Sequence, residues 1–70
     1  MVNLRKRSVN LAGHATSLAL EPEFWTALEA MARARAISLA ALLSGLDAGR
    51  GSRPLASACR TAALAWAMER

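Results

Sequence analysis

Pro22 divides the sequence into two regimes. In "GHATSLALEPEFWTALEAM", residues 13–31, the text before it alternates and the text after it has a helical period. Proline has no backbone N–H and a fixed φ, so it ends a strand and is well placed in the first turn of a helix. Upstream, Thr16, Leu18 and Leu20 share one face, and Ala15, Ser17 and Ala19 share the other, the period of a β-strand. Downstream, Phe24, Leu28 and Met31 fall at i, i+4 and i+7, with Trp25, Leu28 and Ala32 alongside. That broad apolar stripe predicts a helix over residues 22–34. Glu21 and Glu23 place negative charge where the helix dipole favours it.

The remainder of the chain reads as follows. Residues 1–7 form a mobile basic arm, and from Ser8 to Leu11 the pattern alternates weakly, Val9 and Leu11 against Ser8 and Asn10. "AGH" at 12–14 is a turn signal, because Gly13 can take positive φ. Ser38 is a good N-cap for a second helix in which Leu39, Leu42, Leu43 and Leu46 make a tight leucine face. Gly45 within it hints at close packing or is simply tolerated. Gly49 and Gly51 end that helix, and "GRGSRP" offers Ser52 as a cap and Pro54 near the next start. Residues 55–70 give a third helix, with Leu55, Cys59, Ala62 and Trp66 in line and Ala63 and Ala67 beside them. The domain organisation is an arm over 1–7, a core unit over 8–50 and an additional helix over 51–70.

A chain of 70 residues is one domain at most and buries only about 60% of its unfolded surface. Cys59 is the only cysteine and His14 the only histidine, so neither an intrachain disulfide nor a tetrahedral zinc site can supply stability. No cofactor or metal is expected. Oligomerisation is the remaining device, and it would give the single strand a partner. A second arrangement stays open, with residues 8–11 and 15–20 paired as a hairpin around "AGH" in a self-sufficient monomer.

The formal net charge of +4 points to a polyanionic partner. Arg5, Lys6 and Arg7 lie in a stretch, residues 1–20, that holds no acid. The later residues balance six arginines against Glu21, Glu23, Glu29, Asp47 and Glu69. Gly13, His14, Thr16 and Ser17 interrupt any leader-like apolar region, and no apolar run approaches the ~20 residues that span a bilayer. A cytoplasmic protein with no membrane partner is expected. There is no Gly-rich phosphate loop, no "HExxH" and no convincing carboxylate pair, so an enzyme is not expected and no small-molecule substrate is evident. Trp25 and Trp66 lie on helical stripes, where packing is the expected role rather than base stacking. Cys59 reads as a small buried hydrophobe.

The segment "RKRSVNLAGHATSLALEPEFWTALEAMARARAISLAALL" resembles a bacterial ribbon-helix-helix subgroup. The likeness lies in basic residues, "RSV", "AGH", "TS", "LE" before "FW" and a "SL..L" second helix. It covers about residues 4–50 and extends more loosely over "PLASACR". The resemblance implies a mainly α fold in which one N-terminal strand pairs with its copy across a dimer two-fold, followed by three helices. It implies a dimer core of Thr16, Leu18, Leu20, Phe24, Trp25, Leu28, Leu39, Leu42, Leu43 and Leu46 from both chains, and a monomer unstable alone.

It further implies a homodimeric DNA-binding transcription regulator whose two-stranded ribbon enters the major groove of double-stranded DNA, with tetramers on DNA a further option. The outward ribbon positions are then Ala15, Ser17 and Ala19, of which only Ser17 can hydrogen-bond a base. Arg5, Lys6 and Arg7 would meet phosphates. The backbone N–H groups at Ser38 and Leu39 would clamp another. His14 either touches DNA from the strand edge or completes the turn. The competing function is a dimeric interaction or assembly module that has lost sequence-specific readout, docking a partner through the third helix.

Overall fold

The computed structural model describes residues 3–69. An antiparallel hairpin, β1 (Arg5–Leu11) and β2 (His14–Leu20), precedes three helices, α1 (Pro22–Ala34), α2 (Leu39–Gly49) and α3 (Leu55–Met68). The mainly α, ribbon-first order agrees with expectation, and all three helices start where the sequence places them.

The ribbon itself differs. Two strands are present rather than one, and β2 pairs with β1 of its own chain, from Arg5 opposite Leu20 to Leu11 opposite His14. Residues 5–7 belong to β1 instead of a free arm. The connection is two residues long, and both Ala12 (φ 52°) and Gly13 (φ 83°) have positive φ. This is the signature of a type I′ turn, whose twist matches that of the flanking strands. The weak alternation of residues 8–11 allows this hairpin around "AGH", and the pairing extends three residues further, to Arg5.

The core closes within one chain. Leu11, Leu18 and Leu20 from the ribbon meet Trp25, Leu28, Met31 and Ala32 of α1, Leu42 and Leu43 of α2, and Cys59 and Ala63 of α3. β1 packs against α2 and β2 against α3, and the three helices pack on one another. Of the residues expected in a two-chain core, Leu18, Leu20, Trp25, Leu28, Leu42 and Leu43 are buried here, with Phe24, Leu39 and Leu46 partly buried against them. Thr16 is exposed instead. It lies toward the turn, beyond the buried Leu18 and Leu20.

Local geometry explains the helix boundaries. The Ser38 hydroxyl accepts from the Ala41 N–H at 3.0 Å, capping α2. After α1, Ile37 N–H donates to Ala32 O and Ala36 N–H to Arg33 O, with Ala36 at φ 56°. This is a Schellman stop with alanine where glycine is usual. α3 starts directly after Pro54 as N-cap, so Ser52 does not cap it. Nothing lies within 4 Å of a Cβ built on Gly45, so that glycine is not required by a close backbone.

Candidate nucleic-acid interface

Residues directly opposite in an antiparallel pair point to the same side of the sheet. The register therefore sorts the ribbon into two faces. Arg5, Arg7, Val9 and Leu11 share the inner face with Leu20, Leu18, Thr16 and His14, whereas Lys6, Ser8 and Asn10 share the outer face with Ala19, Ser17 and Ala15. Every outer-face residue is exposed except Ala19, which is half-buried. Ala15, Ser17 and Ala19 thus lie on the outward face, as the alternation of β2 predicts. The structure adds a second row beside them.

The basic trio is divided by this geometry. Lys6 alone is on the outer face. Arg7 turns inward, where its Nη1 donates to Glu29 Oε2 of α1 at 3.1 Å and its guanidinium carbon lies 4.4 Å from the centroid of the Trp25 ring. Arg5 lies opposite Leu20, and its carbonyl accepts from the Trp25 indole N–H at 2.8 Å. Arg7 is therefore a brace between ribbon and helix. The expectation that all three cations form one free cluster is corrected accordingly.

His14 and Thr16 line a groove along the ribbon with Leu11, Asp47, Arg50 and Leu55. Arg50 is held there by Asp47 Oδ1, at 2.7 Å from its Nε, and by the Arg53 carbonyl. Glu21, the acid that follows β2 directly, accepts from Arg60 Nε of α3 at 3.0 Å. A backbone hydrogen bond, and then the Arg60 guanidinium, hold its carboxyl below the ordinary range. Hairpin residues 5–20 themselves contain no carboxylate.

At the start of α2 the Ser38 side chain takes the Ala41 N–H. The N–H groups of Leu39 and Ala40 precede any intrahelical acceptor, as in every α-helix, and face the positive end of the dipole. Among the described residues there is no cluster of metal-ligating side chains, and no helix is long and apolar enough to cross a membrane.

Ser8 and Asn10 alternate with Val9 and Leu11 in the sequence, and the structure adds Lys6 to their outer face. Lys6 does not read as strand because the inner positions before Val9 are Arg5 and Arg7, which do not read as buried.

With the ribbon, its polar outer face and the three helices established, comparison with known families is decisive. The ribbon-helix-helix domain matches over residues 4–67. The chain belongs to the ribbon-helix-helix family. Proteins with this domain are typically DNA-binding transcription regulators that act as dimers rather than enzymes. No curated protein and no solved structure gives a significant match. In this ribbon-helix-helix chain β1 and β2 pair within one chain, and the match extends through most of α3.

Proposed function

We propose that the chain is a homodimeric transcription regulator that sets the outer face of its β-ribbon in the major groove of double-stranded DNA. The observation that carries this reading is a ribbon with an exposed outer face and no carboxylate, in a chain of the ribbon-helix-helix family. A two-stranded ribbon is narrow enough for a groove about 12 Å wide. Lys6 and Arg5 at the open end of the hairpin, and the Leu39 and Ala40 N–H groups of α2, meet phosphates. Action on cytoplasmic DNA of a bacterium fits this reading.

The test is titration of the purified full chain with random-sequence duplex DNA across a salt series, with sedimentation equilibrium run in parallel. The reading predicts dimers, and binding that weakens steeply as salt rises. Absence of binding even at low salt sinks it. A second reading, an assembly module, is favoured by Leu64 and Met68 of α3, which are 57% and 76% exposed. It predicts self-association that depends on residues 54–69 without DNA binding.

A further inference from the structure

The outward side of α3 is an uncharged, mostly apolar strip. Thr61, Leu64, Ala65 and Met68 fall at i, i+3, i+4 and i+7 and are all exposed, so they share one side of the helix. The strip borders a groove between α2 and α3 lined by Gly45, Gly49, Ala58, Thr61 and Ala62. Nothing lies within 4 Å of a Cβ built on either glycine, so the groove is open to an entering side chain. α3 follows the ribbon and the two helices that give the family its name, and its strip is therefore distinct from the ribbon.

Two opposite charges flank the strip, and the chain does not pair them. Arg53 lays its side chain along α3, its Nη1 donating to Thr61 Oγ1 at 3.1 Å, and Glu69 caps the far end of the helix. Neither takes part in an ion pair among the described residues. Thr61 and Glu69 are separated by about 12 Å of helix, so the two charges do not meet within one chain. A second copy laid antiparallel across the strip brings them together. With the two-fold at Ala65, residue 69 of one copy faces residue 61 of the other, and each Glu69 meets the Arg53 guanidinium of the other copy. The small Ala65 on the axis lets the two helices approach closely, with Leu64 beside it. Met68, whose flexible side chain fills irregular gaps, enters the groove next to Ala62. An antiparallel pair centred on Thr61 would instead bring the two Arg53 guanidinia together, so charge selects the register.

We infer that this face of α3 is a self-association surface, on which a second copy packs antiparallel about Ala65 with Met68 in its groove and Glu69 against its Arg53. The contact is isologous and closes with two copies. It goes beyond both readings above: a DNA-binding dimer can use the face to join another dimer, and an assembly module can use it alone.

Sedimentation equilibrium of the full chain across the micromolar range tests this, since so short an overlap is below the standard interface size and forms at modest affinity. The comparison is with Met68→Asp, Glu69→Arg, Arg53→Glu and the double reversal Arg53→Glu/Glu69→Arg. All three positions are exposed, and far-UV circular dichroism checks that each variant keeps the fold. The mean mass of the parent is expected to rise with concentration toward twice that of Met68→Asp. Each single reversal lowers it, and the double reversal restores it, the mark of a direct pair. Equal masses for the parent and Met68→Asp at every concentration overturn the inference. A double reversal no more associated than either single variant overturns it too. Duplex DNA is absent from these runs, so their result and that of the DNA titration stand or fall separately.

Discussion

Arg7 of the ribbon stacks over Trp25 of α1, with 4.4 Å between guanidinium carbon and ring centroid, and the same guanidinium reaches Glu29 at 3.1 Å. A residue that reads in sequence as part of a cationic arm is a structural tie. The pair is about two-fifths exposed on each side, so the ion pair and the cation–π contact contribute modestly, together on the order of 1 kcal/mol. Arg7→Ala is expected to lower the unfolding free energy measured by urea titration by about that amount and to change the salt slope of DNA binding less than Lys6→Ala does.

Trp25 is the largest fully buried side chain and its indole N–H is bonded to the Arg5 carbonyl. Truncation opens a cavity and removes the donor. Trp25→Ala should destabilise by about 3–5 kcal/mol, enough to leave a domain of this size largely unfolded at room temperature, as followed by circular dichroism. Trp25→Phe, which retains most of the volume, should fall between that variant and the parent.

Two alanines have left-handed backbones, Ala12 in the hairpin turn and Ala36 after α1. For a residue with a Cβ this conformation costs about 1–2 kcal/mol. Ala12→Asn creates the Asn-Gly pair preferred in a type I′ turn, and Ala36→Gly restores the usual Schellman residue. Each is expected to raise stability by about 0.5–1 kcal/mol after the unfolded-state entropy of the new residue is counted. Thermal melts of the single and double variants should show the gains adding, because the two turns are separate in the chain.

Gly45 lies in the middle of α2 with open space where a Cβ would go. Gly45→Ala should therefore stabilise by up to about 1 kcal/mol through helix propensity alone. A loss of stability or of dimerisation in the same variant would show that this face of α2 meets another chain closely.

The pH dependence has two arms. Glu21 has a depressed carboxyl pKa, from a backbone hydrogen bond and then Arg60. Its contribution is present above the unfolded-state pKa and is lost as pH falls through the lower folded-state value. Glu21→Gln should flatten the acid limb of a plot of urea midpoint against pH. Burial pushes the Cys59 thiol upward, so its contribution is full below the unfolded thiol pKa and is lost as pH rises through the folded value. In the native protein this thiol should react with an aromatic disulfide reagent only at the rate of unfolding, and quickly in urea.

Much of this architecture is legible in the sequence. Pro22, the leucine spacing after Ser38 and Pro54 mark helix starts through local chemistry, and the structure begins the helices at Pro22, Leu39 and Leu55. Ala15, Ser17 and Ala19 follow from a period of two. The partner of β2 is legible only in part: residues 8–11 offer a hairpin around "AGH", but Ala12 disguises the turn geometry and Arg5 and Arg7 on the inner side hide the first half of β1.

By itself, then, the sequence determined the helices, the one-sided character of β2 and the basic, acid-free N-terminal portion, since each depends on neighbours within a few positions. Only the tertiary structure decided that the strand pairs within its own chain, that Arg7 turns inward to Trp25 and Glu29, and that Lys6, Ser8 and Asn10 stand beside Ser17 on one outer face. Those facts depend on cross-strand register, and a shift of one residue would exchange the two faces.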